Sequence, residues 1–143
     1  MYHDVLIPTD GSEGSEAAVE QGVAIASDRG ATAHFLYVVD IGEEMSASAV
    51  GAIADDLAET HRQEADDALG DGEERAEAAG VAHEREILEG TPHEAITQYA
   101  DDRDVDLVVV GASGESGLTD RLLGTTSEKV VGSADASVLV ARP

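Results

Sequence analysis

The segment GASGESGLTDRLLGTTS, from Gly111 to Ser127, holds the residues best suited to chemistry with an anion. Gly111, Gly114 and Gly124 stand where a main chain would have to approach a polyphosphate without a side chain in the way. Thr125, Thr126 and Ser127 then offer hydroxyls at the expected start of a helix, where free N–H groups attract negative charge. The segment follows DLVVV, an apolar run that reads as a buried parallel strand. A nucleotide site is therefore the first expectation.

Two familiar phosphate patterns do not fit. A Walker loop needs G-x-x-x-x-G-K-[ST], and neither that spacing nor a suitably placed lysine is available, since Lys129 is the only lysine. The dinucleotide fingerprint needs G-x-G-x-x-G after the first strand, where this chain has Thr9-Asp10-Gly11-Ser12-Glu13-Gly14. What remains is G-x2-G-x9-G-[ST] after an apolar strand. No general base, nucleophile or metal cluster is evident beside it, so no catalytic or metal-ligating residue is assigned. His3, His34, His83 and His93 read as core or surface histidines. His61 and Glu64 form an H-x-x-E pair on one helix face, but no third ligand follows at helical spacing. Arg121, the one cation within the glycine segment, either neutralises phosphate or pairs with neighbouring carboxylates.

The elements that position these residues alternate. Asp4–Pro8 is predicted to be the first strand, ended by a proline that cannot continue a central ladder. A helix capped by Ser12 or Ser15 follows to about Asp28, with Ala17, Ala18, Val23, Ala24 and Ile25 inward and Gly30 as its stop. Ala33–Val39 is the second strand. Residues 41–51 show no period and read as a loop or insertion. Ile53–Ala79 carries a thin stripe of Leu57, Ala65, Ala68, Leu69 and Ala76, expected to cover a sheet, with a kink or close packing near Gly72. His83–Leu88 is the third strand. Thr91-Pro92-His93-Glu94 then gives Thr at N-cap, Pro at the first helical position and Glu at N3, opening a helix to about Asp102. Asp106–Val110 is the fourth strand, Ser127–Val131 a helix and Ser137–Ala141 the last strand. This order implies an α/β fold with an open five-stranded parallel sheet, helices on both faces, and ligands beyond the carboxyl ends of the strands. Pro8-Thr9-Asp10, Val38-Val39-Asp40 and Gly111 onward would then share one edge.

The 143 residues suit one domain spanning 1–143. Acidic residues number 31 against 8 basic, a formal net charge of -23, which argues against partners such as nucleic acid or an anionic membrane surface. The carboxylates are spread along the chain, as solvated helix faces are. With a single Phe, no Trp and one lysine, the composition resembles that of proteins from halophilic organisms, whose molar cytoplasmic salt cuts the Debye length to about 3 Å. No apolar span or signal-like leader is apparent, so a cytoplasmic protein is expected. With no cysteine, a disulfide framework and thiol chemistry are excluded.

The order Gly111-Ala112-Ser113-Gly114, nine residues, then Gly124-Thr125 resembles the ATP-binding motif of the universal stress protein family. VLIPTDGSE looks like that family's first strand and turn, LYVVD its second strand, and TSEKVVGSADASVLVAR its last helix and strand. The resemblance implies a Rossmann-like fold of the adenine nucleotide alpha hydrolase type. It also implies a regulatory or sensory stress-response module that binds ATP with Mg. Pro8, Thr9 and Asp10 would hold the nucleoside, with Asp10 on ribose or adenine. Val39 and Val110 would lie against the base, and Gly111, Gly114, Gly124, Thr125, Thr126 and Ser127 would surround the phosphates. A homodimer through the C-terminal strand is implied as well. Glu115, where many nucleotide-binding members are basic or neutral, would repel a triphosphate. The alternatives are a dimeric stress protein that acts through protein contacts with an empty pocket, and a slow ATPase.

Overall fold

The structure, a computed structural model, describes residues 1–40, 51–112 and 124–143; the side chains of 51–58 are not among those described. The loop expected at 41–51 lies largely outside these residues, as do Gly114, Glu115, Arg121 and the side chain of Leu57. Strands β1 (Asp4–Pro8), β2 (Thr32–Asp40), β3 (His83–Gly90), β4 (Leu107–Gly111) and β5 (Ser137–Ala141) alternate with α1 (Glu13–Arg29), α2 (Gly51–Ala78), α3 (Pro92–Asp102) and α4 (Thr125–Ser133). All strands pair in parallel, in the order β3-β2-β1-β4-β5. The first crossovers run outward from β1 and the later ones return to its other side, so strand order reverses between β1 and β4. Among the described residues, no helix is long and apolar enough to cross a membrane.

Strand pleating divides the core. Val5, Ile7, Phe35, Tyr37 and Val109 face α1 and α2, while Leu6, Leu36, Val108 and Val110 face α3 and α4. On α1 the inner arc is centred on Ala18, Gly22 and Ala26, all buried. Ala24, expected inward, is exposed and Ile25 only partly buried, because two residues beyond Gly22 is about 200° around the helix. Ser12 is the N-cap and accepts from Ser15 N–H, and Gly30 ends the helix with φ 63°. Thr91 stands at the N-cap of α3 with extended backbone, but its exposed hydroxyl makes no capping bond. The expected capping box is therefore absent, and the start of α3 rests on Pro92, whose ring presets φ.

At the amino ends of the strands a polar network fixes register. The Asp106 carboxylate accepts from His3 N–H at 2.8 Å and Asp4 N–H at 3.2 Å. Buried His34 bonds Asp4 Oδ1 through Nε2 and the Tyr99 hydroxyl through Nδ1, each at 2.9 Å. Burial raises the Tyr99 phenol above its ordinary pKa, and the Arg103 guanidinium lies 5.2 Å from its ring centroid. On the outer strand β3, Glu84 and Glu89 are exposed and Glu86 half-exposed, while Arg85 ties β3 to Asp66 and Glu73 of α2.

Helix α2 is continuous across both of its internal glycines. At Gly72 a Cβ would stand 2.7 Å from Cδ1 of fully buried Phe35, whereas at Gly70 nothing lies within 4 Å. Close packing rather than a kink accounts for Gly72. Gly72→Ala is expected to lower stability by about 1–2 kcal/mol, overpacking outweighing the helix-propensity gain. Gly70→Ala, with open space, should raise it by about 0.5–1 kcal/mol. Urea unfolding of the two variants checks the opposite signs.

Candidate functional site

At the carboxyl edge of the sheet, β1 and β4 part. Their ladder pairs Val5 with Leu107 and Leu6 with Val108, whereas β1 continues along β2 through Pro8–Leu36 and the Thr9 N–H to Leu36 carbonyl bond at 2.9 Å. Between the separated ends lies a cleft of about 380 Å³. This is the volume range of small-molecule sites.

One wall comes from the turn after β1. Pro8, Thr9 and Asp10 line it, together with Ser12 and Ser15 of the first turn of α1. Asp10 Oδ1 accepts from Ser12 N–H at 2.9 Å, an Asx turn, and from the Ser15 hydroxyl at 3.1 Å. Thr9 Oγ1 donates to Ser15 Oγ at 3.2 Å. Both bonds to Asp10 fall on Oδ1, so Oδ2 keeps its acceptor capacity. The amino end of α1 is thus closed by its own side chains.

The end of β4 and the start of α4 also line the cleft, through Val110, Gly111, Gly124, Thr125, Thr126 and Ser127. Gly111 was expected to be glycine so that phosphate could approach, but its tightest neighbour is protein. A Cβ there would lie 2.5 Å from the carbonyl carbon of Gly14 and 2.9 Å from its Cα. The first turn of α1 packs directly on this backbone. Ser127, expected to present its hydroxyl to phosphate, is buried and donates it to the Gly111 carbonyl at 2.5 Å. The Gly124 N–H bonds the Ala112 carbonyl at 2.7 Å, which holds α4 against β4. Gly124 is the N-cap, and with no side chain it leaves the amino end of α4 without a side-chain cap. Of the two helix starts at the cleft, α1 is capped by Ser12, whereas at α4 no side-chain cap is found among the described residues.

Val39 and Asp40 line the cleft from the end of β2, as expected, and Ile96 and Pro92 add apolar surface from α3. His61 and Glu64 of α2 line it too, which the sequence reading missed. Tyr37 Oη donates to Glu64 Oε2 at 3.4 Å, and His61 Nδ1 lies 3.8 Å from the same oxygen. A signal was present: His61 falls one turn before Ala65 on the inward stripe of α2. Among the described residues, no three His, Asp or Glu side chains gather so as to hold a metal ion.

The model of the universal stress protein family matches residues 1–142. The chain belongs to that family. It is 34% identical over 142 residues to universal stress protein MJ0531 of Methanocaldococcus jannaschii, covering 99% of this chain and 83% of that protein. In solved structures it is similar to MJ0577 of the same organism, with TM-score 0.87, 29% identity and coverage of 100% and 97% of the two chains. It is also similar to a universal stress protein crystallised in complex with cAMP, with TM-score 0.70, 27% identity and coverage of 99% and 97%. The five-stranded parallel sheet flanked by helices is the fold of these structures.

In this family member, Gly111→Ala is expected to cost about 1–3 kcal/mol of stability, because the contact it meets is main chain that cannot rotate away. The loss should appear in thermal unfolding without any ligand, which separates a packing role from a binding one.

Proposed function

We propose that this chain binds an adenine nucleotide, ATP carried with Mg2+, as a regulatory or sensory stress-response module. The observation that carries the reading is the uncapped start of α4, which lines a cleft that also has apolar surface from Val39, Val110 and Ile96. Free N–H groups and the helix dipole favour a phosphate there, and a flat base suits the apolar surface. Asp10 Oδ2 suits ribose hydroxyls. Gly114 and the rest of the glycine segment would complete the phosphate contacts. Mg2+ would travel on the phosphates, since no described cluster of side chains is built to hold it. The family member bound to cAMP supports an adenine nucleotide in a related cleft.

The same reading places the protein in the cytoplasm of a salt-rich cell, where screening relieves its net charge of -23. We also infer a homodimer through β5, an edge strand whose SVLVA sequence carries no charge. A second reading, an unliganded cleft with action through protein contacts, draws on the carboxylates of Asp10, Asp40 and Glu64 around it.

Titration calorimetry with Mg-ATP in about 2 M KCl, where screening is strong, tests the nucleotide reading on wild type and Thr126→Asp. A carboxylate in the first turn of α4 favours the helix, so the variant should melt no lower. It should bind ATP at least about tenfold more weakly, through repulsion of the phosphates. Absence of binding in wild type would favour the unliganded reading, and phosphate release above background would favour a slow ATPase. Light scattering should give twice the 14.8 kDa chain mass. A monomer would remove the β5 interface.

A further inference from the structure

The cleft has a wall that the glycine segment does not supply. His61 and Glu64 line the cleft from α2, which packs beside the turn after β1, where a Cβ on Gly11 would lie 3.8 Å from Ala68 Cβ. His61 is held at this place by the buried stripe it continues, through Ala65, Ala68 and Leu69, and its side chain is 29% exposed. Among the described residues, the acidic and phenolic groups that line the cleft with it are Glu64 on its own helix, Tyr37 and Asp40 on β2, and Asp10 in the turn after β1. Among the described residues lining the cleft, His61 is the one side chain able to carry a positive charge.

We infer that His61 is a proton-dependent ligand contact, so that protons regulate occupancy of the cleft. The inference rests on the nucleotide reading above. Imidazole is the side chain that changes charge between about pH 5 and 8. In its neutral form the wall presents carboxylates alone to an incoming anion. Once protonated, His61 offsets the nearby Glu64 carboxylate and weakens the repulsion that an incoming anion meets. Because linkage is reciprocal, an anion that prefers the protonated cleft must also raise the proton affinity of the imidazole. The sign follows: nucleotide affinity rises as pH falls and weakens as the imidazole loses its proton.

The probe is cAMP, whose phosphodiester keeps a single negative charge over this range, so any pH dependence belongs to the protein. Calorimetric titration in molar KCl is run at about pH 5.5 and about pH 8, the two sides of the range in which histidine side chains ordinarily change charge. Wild type should bind about tenfold more tightly at the lower pH, the effect of one pK unit of coupling. His61→Gln should bind about as wild type does at pH 8, equally at both values. His61→Arg, a fixed cation, should bind tightly at both. Circular dichroism of each sample verifies that the fold is retained. A flat wild-type profile, or the same pH dependence in His61→Gln, overturns the inference. Wild type that takes up no cAMP at either pH overturns it too; ATP titration of the same preparation then shows whether the nucleotide reading falls with it.

Discussion

The contact between two main chains, Gly111 at the end of β4 and Gly14 in the first turn of α1, sets the dimensions of everything around the cleft. Neither residue has a side chain, so helix and strand approach to a distance that no Cβ on Gly111 would permit. Gly111 also accepts the Ser127 hydroxyl and sits opposite Ala141 of β5. One backbone position thereby holds α1, α4 and β5 in fixed relation. The separation of β1 from β4 beyond Leu6 and Val108 opens the sheet edge, and this contact limits how far it opens.

Within that frame, electrostatics distinguishes the two ends of the cleft. Both α1 and α4 direct a helix start toward it, but Ser12, Ser15 and Asp10 satisfy the first with short local bonds, whereas among the described residues no side chain caps the second. A chain with a net charge of -23 carries few places that favour an anion. The family model and the solved structures agree with this architecture over nearly the whole chain.

The strand and helix order was legible because buried parallel strands are short apolar runs and the intervening helices carry recognisable stops such as Gly30. Sequence separation did not hide the cleft either, since the parallel-sheet rule brings the ends of β1, β2 and β4 to one edge. The cause behind a residue type was harder to read. Gly111 was expected to serve a ligand, yet it meets Gly14, a contact that depends on how α1 docks. Ser127 was expected to face phosphate, yet it braces Gly111. His61 and Glu64 were read only as an H-x-x-E pair short of a third metal ligand, because the stripe was read from alanine and leucine alone, and a polar residue continuing an apolar stripe was passed over. Thr91 occupies its N-cap position without using its hydroxyl, a reminder that Pro92 can start a helix unaided.

The two outer strands of the sheet are unlike each other. β3 carries Glu84, Glu86 and Glu89 along with Arg85, while β5 is Ser-Val-Leu-Val-Ala. Added strands from another chain would meet a charged, mostly acidic strand at one margin and an uncharged one at the other. A sheet built this way can be extended from one side only. If two copies meet there about a twofold axis, each uses up its single permissive margin, and both remaining margins are acidic. Growth then terminates at ten strands, so that the charge on the outer strands alone would keep a protein rich in parallel sheet from becoming a fibre.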